Sequence, residues 1–389
     1  MNSVRNFLFL VALLSVAIPI AVGAQERFRI MEYNVENLFD TIPDPEKNDR
    51  DFLPSGNQHW TSGRYWSKQG LLARVIAGAG GDSPIELVGL VEVENDTVLA
   101  HLTRRTSLAR LGYDFLITNG PDERGIDVAL LYQPSRFRPI GREDLRVQLG
   151  EGVRPTRDVL FVEGLLSTLD TLSVFVAHFP SRRGGKQMTD AYREKVAQVI
   201  RHKVDSIQQC RTEALIVIMG DLNDEVQDAS LQETLQVVEA EHVGVLVSLP
   251  DSFEAAADLK GARKFAEKLN RKFAQKIKHK DETSSTVATQ LLYDLSPRCE
   301  AFPSVEGTYY FQGSWSKIDH IIVSSALLNT TSPLRCCSPF CHIVAYPFLL
   351  EQDHKTLPVL YRPKRMYKGT HYNGGISDHL PLLLELRLK

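Results

Sequence analysis

The chain has 389 residues, of which 43% are hydrophobic and 24% charged, and its formal net charge at pH 7 is −3. This composition describes an ordinary globular protein, and the length suffices for one large domain or two ordinary ones. The slightly negative charge excludes a global basic field of the kind that indicates a polyanion partner.

The chain begins with an apolar segment. A single arginine precedes an apolar run from Phe7 to Val22, and small residues stand at Val22 and Ala24. This pattern predicts a cleavable secretory signal peptide over residues 1–24 and an exported protein, periplasmic or extracellular. An uncleaved anchor is the alternative, because the apolar run is only slightly shorter than a membrane span.

Apolar runs that end in polar clusters recur along the rest of the chain. In order they are FRIMEYNVEN, IELVGLVEVEN, RGIDVALLY, LSVFVAHFPSRRGG, ALIVIMGDLND, KIDHIIVSSALL and SDHLPLLLELRL. Two stretches between them, SKQGLLARVIAGAG and MTDAYREKVAQVIRHKVDSIQQC, carry apolar residues at helical spacing, the second with Asp190 placed to cap it. Strands that alternate with helices and cluster late in the chain predict a layered α/β fold.

A basic segment near residues 255–285 interrupts this pattern. Between Asp258 and Lys280 one helical face is apolar, formed by Leu259, Ala262, Ala266, Leu269, Phe273 and Ile277. The other face is nearly all Lys and Arg, so we predict an inserted amphipathic helix. Its basic face would be solvated, bind nucleic acid, or lie on an anionic membrane.

Five cysteines are an uneven number for an exported protein, and three of them crowd into RCCSPFCH. The favoured interpretation is one or two disulfides plus a free thiol. A zinc site with His342 would need a second Cys/His pair at the partner spacing, which the sequence lacks.

Polar residues at the ends of the apolar runs form the candidate site. GDLNDE follows the uncharged run ALIVIM, so Asp221 and Asn223 come directly after a predicted buried strand. Carboxylates and carboxamides are the hard ligands that Mg²⁺ and Mn²⁺ prefer, and histidines transfer protons near neutrality. Such a set predicts phosphoryl chemistry. The other members are Asn34, Glu92, Asp127, His178, Asp319, Asp378 and His379.

Two further groups adjoin these positions. Arg182, Arg183 and Lys186 follow His178 and either contact substrate phosphates or form a solvated basic turn. Four aromatic residues precede Asp319. Packing beneath their loop is the favoured interpretation, and lining the pocket or stacking on a base are the alternatives. The four residues are Tyr309, Tyr310, Phe311 and Trp315.

Seven motifs in this order resemble the endonuclease/exonuclease/phosphatase superfamily, the fold of DNase I and the abasic-site endonucleases. They are YNVENLF (33–39), GLVEVEN (89–95), RGIDVALLY (124–132), AHFPSRRGG (177–185), GDLND (220–224), WSKIDHIIVS (315–324) and SDHLPL (377–382). The long SRRGG version resembles a bacterial exported subgroup. The resemblance implies one domain over residues 25–389, folded as a four-layer α/β/β/α sandwich with two mixed sheets face to face and helices outside.

The resemblance also implies roles for the residues that would bind the metal and the phosphate. Glu92 would be the principal metal ligand, with Asn34 and Asp378 completing or bracing that site. Asp221 would orient or deprotonate the attacking water, or hold a second metal. Asn223 would hold a phosphate oxygen in the transition state.

The histidines have implied partners as well. Asp319 would orient His379, and His178 would face the phosphate as acid or hydrogen-bond donor, with Asp127 supporting His178 in the same way. The implied enzyme is an exported Mg²⁺-dependent phosphoesterase, with Mn²⁺ as a possible substitute.

Several substrates fit that enzyme. A nuclease acting on nucleic acid is favoured. A phosphomonoesterase, or a hydrolase of the phospholipid, inositol-phosphate or sphingomyelin type, is the alternative. Membrane association is not favoured, and no obligate protein partner is evident. A binding module without catalysis is least favoured, because no expected ligand is missing.

Overall fold

The computed structural model describes residues 26–240, 291–353 and 360–389. The predicted signal peptide (1–24) and the predicted basic helix near 255–285 lie outside these ranges and stay predictions. Within the described ranges, no helix combines the length and the apolar character needed to cross a membrane.

The described chain forms twenty-one strands, three helices and several short helical segments. The strands up to the first gap and just past it are β1 (Glu26–Leu38), β2 (Leu87–Val93), β3 (Asp114–Ile117), β4 (Asp127–Tyr132), β5 (Phe137–Leu145), β6 (Val159–Leu166), β7 (Thr171–His178), β8 (Leu215–Asp221), β9 (Val237–Glu239) and β10 (Leu292–Asp294). The later strands are β11 (Ser296–Arg298), β12 (Tyr309–Phe311), β13 (Ser314–Ser316), β14 (Asp319–Ser324), β15 (Leu334–Cys336), β16 (Phe340–Ile343), β17 (Leu350–Asp353), β18 (Leu360–Pro363), β19 (Tyr367–Lys368), β20 (His371–Tyr372) and β21 (Leu382–Leu388). The helices are α1 (Ser62–Gly80), α2 (Asp96–Arg105) and α3 (Lys186–Cys210).

Fifteen of these strands form two mixed sheets. The first has eight strands in the order β11-β16-β21-β1-β2-β4-β3, with β15 also paired to β21. The second has seven strands in the order β5-β6-β7-β8-β14-β10-β9. Each sheet contains parallel and antiparallel neighbours, and the remaining strands form three two-stranded ribbons. The predicted mixed α/β fold with two sheets is confirmed.

Strand β8 shows why the predicted runs carry no charge. All seven of its residues are buried, and its side chains point alternately to two cores. Val217 and Met219 belong to the core that contains the first sheet, whereas Ile216 and Ile218 contact the apolar face of α3. A strand covered on both faces has no position for a solvated side chain, so it reads as a continuous apolar run.

The helix starts follow the capping rules at two of three positions. Thr61 caps α1 by accepting from Arg64 N, and Asn95 caps α2 by accepting from Val98 N at 3.0 Å. The predicted cap of α3 is wrong, because that helix begins at Lys186 after Gly185. Asp190 lies inside the helix and pairs with Arg193.

Candidate active site

Three predicted site residues form one row across the second sheet. Strands β7 and β8 end at His178 and Asp221, and β14 begins at Asp319. In the strand register His178 pairs with Asp221, and Asp221 pairs with Asp319. Because β7 and β8 run parallel and β14 runs antiparallel to β8, these three positions share one edge of the sheet.

The first sheet supplies the opposite wall. Asn34 lies in β1, Glu92 near the end of β2, and Asp378 in the loop before β21. Glu92 has a φ of +65°, which residues with a Cβ rarely adopt, and it sits where the register of β2 with β4 shifts. Such an irregularity redirects a side chain. The carboxylate of Glu92 consequently lines the same cavity as the row on the second sheet.

The carboxylate of Asp221 lies at the centre of the site. Its Oδ2 accepts a hydrogen bond from Asn34 Nδ2 at 3.0 Å and lies 3.5 Å from His178 Nε2 and 3.9 Å from His379 Nε2. Its Oδ1 accepts from Asn223 N at 3.0 Å. Burial raises the pKa of Asp221 to about 7. The group therefore changes protonation near neutrality.

Asp319 and His379 form a buried carboxylate–imidazole pair. His379 Nδ1 donates to Asp319, with distances of 2.8 and 3.0 Å to the two carboxylate oxygens. Burial lowers the pKa of His379, but the charges of Asp319 and Asp221 outweigh that effect and raise its pKa well above the ordinary value. The ring is therefore held as an imidazolium whose Nε2 points toward Asp221.

His178 has the opposite charge state. Burial, with the positive charges of Arg157 and Arg124, lowers its pKa well below the ordinary value, so the imidazole is neutral. Its Nε2 lies 3.9 Å from Glu92 Oε1 as well as near Asp221, and its Nδ1 has no hydrogen-bond partner among the described residues. No described residue therefore fixes the tautomer of this ring through Nδ1.

The expected support of His178 by Asp127 is wrong. Asp127 Oδ1 accepts from Thr118 Oγ1 at 2.6 Å and from Gly120 N at 2.8 Å. Burial raises the pKa of Asp127 despite those donors. The carboxylate braces the loop between β3 and β4, and its part in catalysis was suggested only by its place at the start of an apolar run and by the family resemblance.

The basic segment after His178 divides into bracing and cavity-lining residues. Arg182 Nε donates to the carbonyl of Asn223 at 2.6 Å, and its Nη2 lies 3.0 Å from Asp228 Oδ2. Lys186 is also ion-paired to Asp228. Arg183 is exposed, lines the cavity and has no ion pair with another described residue. The prediction of phosphate contacts therefore suits Arg183, whereas Arg182 and Lys186 hold the loop after β8.

That loop presents Asn223. Its φ is +52°, and its side-chain Nδ2 donates to the carbonyl of Phe179 at 3.1 Å. With its N bound to Asp221 and its carbonyl bound to Arg182, the residue is fixed in position. It lines the cavity beside His178.

A buried charge cluster that no sequence motif indicated lies beneath the loop before β21. Glu36 Oε2 accepts from Met366 N at 2.8 Å, and Lys68 Nζ donates to the carbonyls of Glu36 and Ile376. Burial raises the pKa of Glu36 to about 8 and lowers the pKa of Lys68 to about 8. A lysine on the apolar face of α1 was the signal that could have pointed here.

Two more groups were missed. Arg365 donates to Asp378 and lines the cavity, although no motif contains it. Glu32 is fully buried in β1, and neither carboxylate oxygen has a hydrogen-bond partner among the described residues. Burial, followed by the charges of Asp319 and Asp221, raises its pKa well above the ordinary value, so it is a neutral acid beneath the site.

One cavity of about 700 Å³ connects the two walls. Glu92 and Asp378 line it, and with Asn34 and Asp221 they offer the hard oxygen donors that suit a small divalent cation. Atoms of Asp221, Asp319 and His379 also lie within 4.8 Å of one another. Because the fully buried Asp319 is engaged by His379 Nδ1 through both oxygens, an Asp–His pair explains this trio better than a metal centre.

Comparison with known proteins agrees with this geometry. A profile described as Endonuclease/Exonuclease/phosphatase family matches residues 29–262 and 267–388. No curated protein sequence matches the chain.

Solved structures that share the fold include the following two. A crystal structure of an endonuclease/exonuclease/phosphatase family protein from Bacteroides thetaiotaomicron is 15% identical, with a TM-score of 0.51 over 94% of this chain and 99% of that one. A mannosyl-6-phosphatase from Bacteroides thetaiotaomicron VPI-5482 is also 15% identical, with a TM-score of 0.50 over 92% of this chain and 99% of that one.

Proposed function

The chain belongs to the Endonuclease/Exonuclease/phosphatase family, and from that premise we propose that it is a divalent-metal-dependent phosphodiesterase acting on nucleic acid. One observation carries the proposal. Asp221 Oδ2 lies between two imidazoles, at 3.5 and 3.9 Å, while the carboxylates of Glu92 and Asp378 line the same cavity from the opposite sheet.

The donor set fits a hard cation such as Mg²⁺, with Mn²⁺ as a substitute. Glu92 and Asp378 would hold it, with Asn34 and Asp221 completing or bracing the set. Such an ion supplies polarisation of a phosphoryl oxygen.

The side chains of the site would carry out the proton transfers and bind the phosphoryl oxygens. Water would attack phosphorus in line with the leaving oxygen, and Asp221 would accept the proton of that water. Neutral His178 suits hydrogen bonding to a phosphoryl oxygen rather than proton donation, because its pKa is lowered. The imidazolium of His379 is the group able to give a proton to the leaving oxygen. Asn223 would hold another phosphoryl oxygen.

A polymer is favoured because a cation without an ion pair in the described part of the chain lies beside the site. Arg183 lines the cavity on the β7 side and carries no ion pair among the described residues. A guanidinium there would bind the phosphate next to the scissile one. The fold similarity to a mannosyl-6-phosphatase makes a sugar phosphomonoester the second candidate.

The test is a panel assay of the purified protein on plasmid, single-stranded DNA, RNA, mannose 6-phosphate, inositol phosphates and sphingomyelin. We expect cleavage of nucleic acid with Mg²⁺ or Mn²⁺ and none in EDTA. Glu92→Gln should reproduce the loss in EDTA while the protein stays folded. The matched control is Glu213→Gln, an exposed position at the opposite end of β8. Full activity in chelator would remove the metal mechanism, and turnover of phosphomonoesters alone would remove the nuclease.

A further inference from the structure

Aromatic rings form a stack that begins at the site and ends at the cavity wall. The ring of Tyr309 lies 4.7 Å from that of His379, with 30° between their planes. Phe311 follows at 6.1 Å from Tyr309 and is nearly parallel to it, at 15°. These distances are typical of offset stacking. Phe311 is the last ring, and 52% of it is exposed.

The ribbon of β12 and β13 holds this stack in place. Tyr309 pairs with Ser316 and Phe311 pairs with Ser314, and the ring of Tyr310 packs edge-on against Trp315 on the other face. A bridge between Tyr309 and His379 joins the ribbon to the segment that carries the catalytic imidazole. The platform is therefore formed before any ligand arrives.

Phe311 stands between two cavities. The catalytic cavity and a second one of about 420 Å³ share Phe311, Arg365 and Asp378 in their walls. Cations outnumber carboxylates in the lining of the second cavity. Arg362 and Lys368 pair with Glu351 there, each at 2.8 Å, and Arg365 is bound to Asp378.

We propose that Phe311 is the stacking platform for a nucleobase of the substrate, and that the second cavity receives the chain beyond that base. This inference rests on the proposed function, because it assigns a place to a nucleoside only if the site cleaves nucleic acid. Phe311 and Arg183 both line the catalytic cavity, Phe311 on the ribbon that is bridged to His379 and Arg183 in the segment after β7. A substrate would then be held at two points of this cavity, by a guanidinium on its phosphate and by a ring on its base. The exposed ring of Phe311, nearly parallel to that of Tyr309, suits a flat aromatic base, since every base has a π-face.

The test compares two ligands that differ only by the base. Binding of adenosine 5′-monophosphate and of ribose 5-phosphate is measured by calorimetry with Mn²⁺. We expect the nucleotide to bind about tenfold more tightly than the sugar phosphate, the usual worth of one stacked base. Phe311→Ala should abolish this difference and leave ribose 5-phosphate binding unchanged, whereas Phe311→Trp should keep it.

The control is Ile140→Ala, which truncates an equally exposed apolar side chain (52%) on edge strand β5 and should change neither affinity. Equal binding of the two ligands by the unmodified protein, or no binding of the nucleotide, would overturn the base platform. So would Phe311-dependent binding of mannose 6-phosphate, which would assign the ring to a sugar. Nuclease activity of the unmodified protein on plasmid and RNA is measured in parallel. If it persists while the ligands bind equally, the platform fails and the proposed function stands.

Discussion

The carboxylate of Asp221 lies between one neutral and one protonated histidine. A neutral imidazole and an imidazolium approach the same oxygen, and the amide of Asn34 donates to it as well. The difference between the histidines comes from their surroundings, because Asp319 binds His379 while no described residue binds Nδ1 of His178. Two side chains of one type therefore have separate roles in the proposed reaction.

Substitution of the two histidines tests those roles. We expect His178→Ala and His379→Ala each to lower kcat by roughly two to four orders of magnitude, the usual contribution of positioned acid–base groups. Asp319→Asn should act through His379, because both carboxylate oxygens of Asp319 face its Nδ1. The double variant should then be little worse than His379→Ala alone. Additive losses in kcat would show that the two residues act separately.

A second Asp–His pair lies next to the site and has a structural role. His320 Nδ1 lies 2.9 Å from Asp294 Oδ1, and Nε2 lies 2.9 Å from the carbonyl of Asp224. Burial lowers the pKa of His320, but these partners outweigh it and raise the pKa to about 9. Because both nitrogens face acceptors, the ring is a buried imidazolium.

This pair makes stability depend on pH. The folded-state pKa of His320 lies above the ordinary value of 6.5. The stabilisation that the protonated ring gives to the folded state is therefore complete below pH 6.5 and is lost as the pH rises through about 9. We expect Asp294→Asn to lower the free energy of unfolding by roughly 3 kcal/mol near pH 6 and by much less above pH 9. Urea unfolding across this range measures the difference. Asp82→Asn, whose side chain is 80% exposed, is the control, and a pH-independent loss at Asp294 would contradict the assignment.

At the scale of elements, Gly220 sets the end of β8. Its φ is +144°, and a Cβ there would lie 1.8 Å from the carbonyl oxygen of Ala177 in β7. Gly220→Ala must therefore push β8 away from β7 and move Asp221 with it. We expect a loss of about 3 kcal/mol in unfolding free energy together with a fall in kcat.

Gly70→Ala is the matched control for that substitution. Gly70 is exposed in α1 and has no atom within 4 Å of an added Cβ. The free energy of unfolding should rise by about 0.5–1 kcal/mol there, with unchanged kcat. Chemical denaturation and steady-state kinetics on both variants measure these effects, and a fully active, stable Gly220→Ala protein would contradict the close approach.

The long elements could be predicted and the short ones could not. Each of the seven apolar runs became a strand, namely β1, β2, β4, β7, β8, β14 and β21, and both helical patterns became helices. These elements bury apolar side chains at regular spacing, which is a local signal. The ribbon of β12 and β13 has three residues per strand, so too few positions repeat to reveal a period.

The site residues, too, could be predicted only where a local sequence signal marks them. Residues directly after apolar runs were found, because the strand end places them there. Arg365 was not, since it reaches the cavity from an irregular loop through its contact with Asp378. Asp127 is the opposite case, a residue that was predicted to be catalytic and is not placed for it. Its position at the start of a strand suggested the site, but its carboxylate binds Thr118 and Gly120 instead.

At the scale of the whole molecule, the spacing of the two sheets sets the distance between Glu92 and Asp378, the proposed metal ligands, and the histidines of the opposite wall. Gly89 in β2 faces Met219 in β8, and an added Cβ would lie 2.8 Å from the sulfur of Met219. We expect Gly89→Ala to cost about 1–3 kcal/mol of stability and to lower kcat without touching the cavity. Adding Met219→Ala to Gly89→Ala should restore part of the stability and part of kcat, because the side chain that the new Cβ meets is then removed. Thermal unfolding and steady-state kinetics measure the two quantities. If the effects of Gly89→Ala and Met219→Ala on kcat simply add in the double variant, sheet spacing does not control the rate.

The pairing of β1 with β21 carries a consequence for biosynthesis. Asn34 lies in the first described strand, whereas Asp378 and His379 precede the last one, which pairs with β1 along its length. A chain leaves the ribosome from its N-terminus, so earlier parts can fold while later ones are still being made. The edge of β1 must then wait for β21, and a chain that lacks residues 378–388 contains no complete candidate site. The proposed nuclease activity would therefore be absent until β21 has been made, and the messenger would be safe from the chain that it is still encoding.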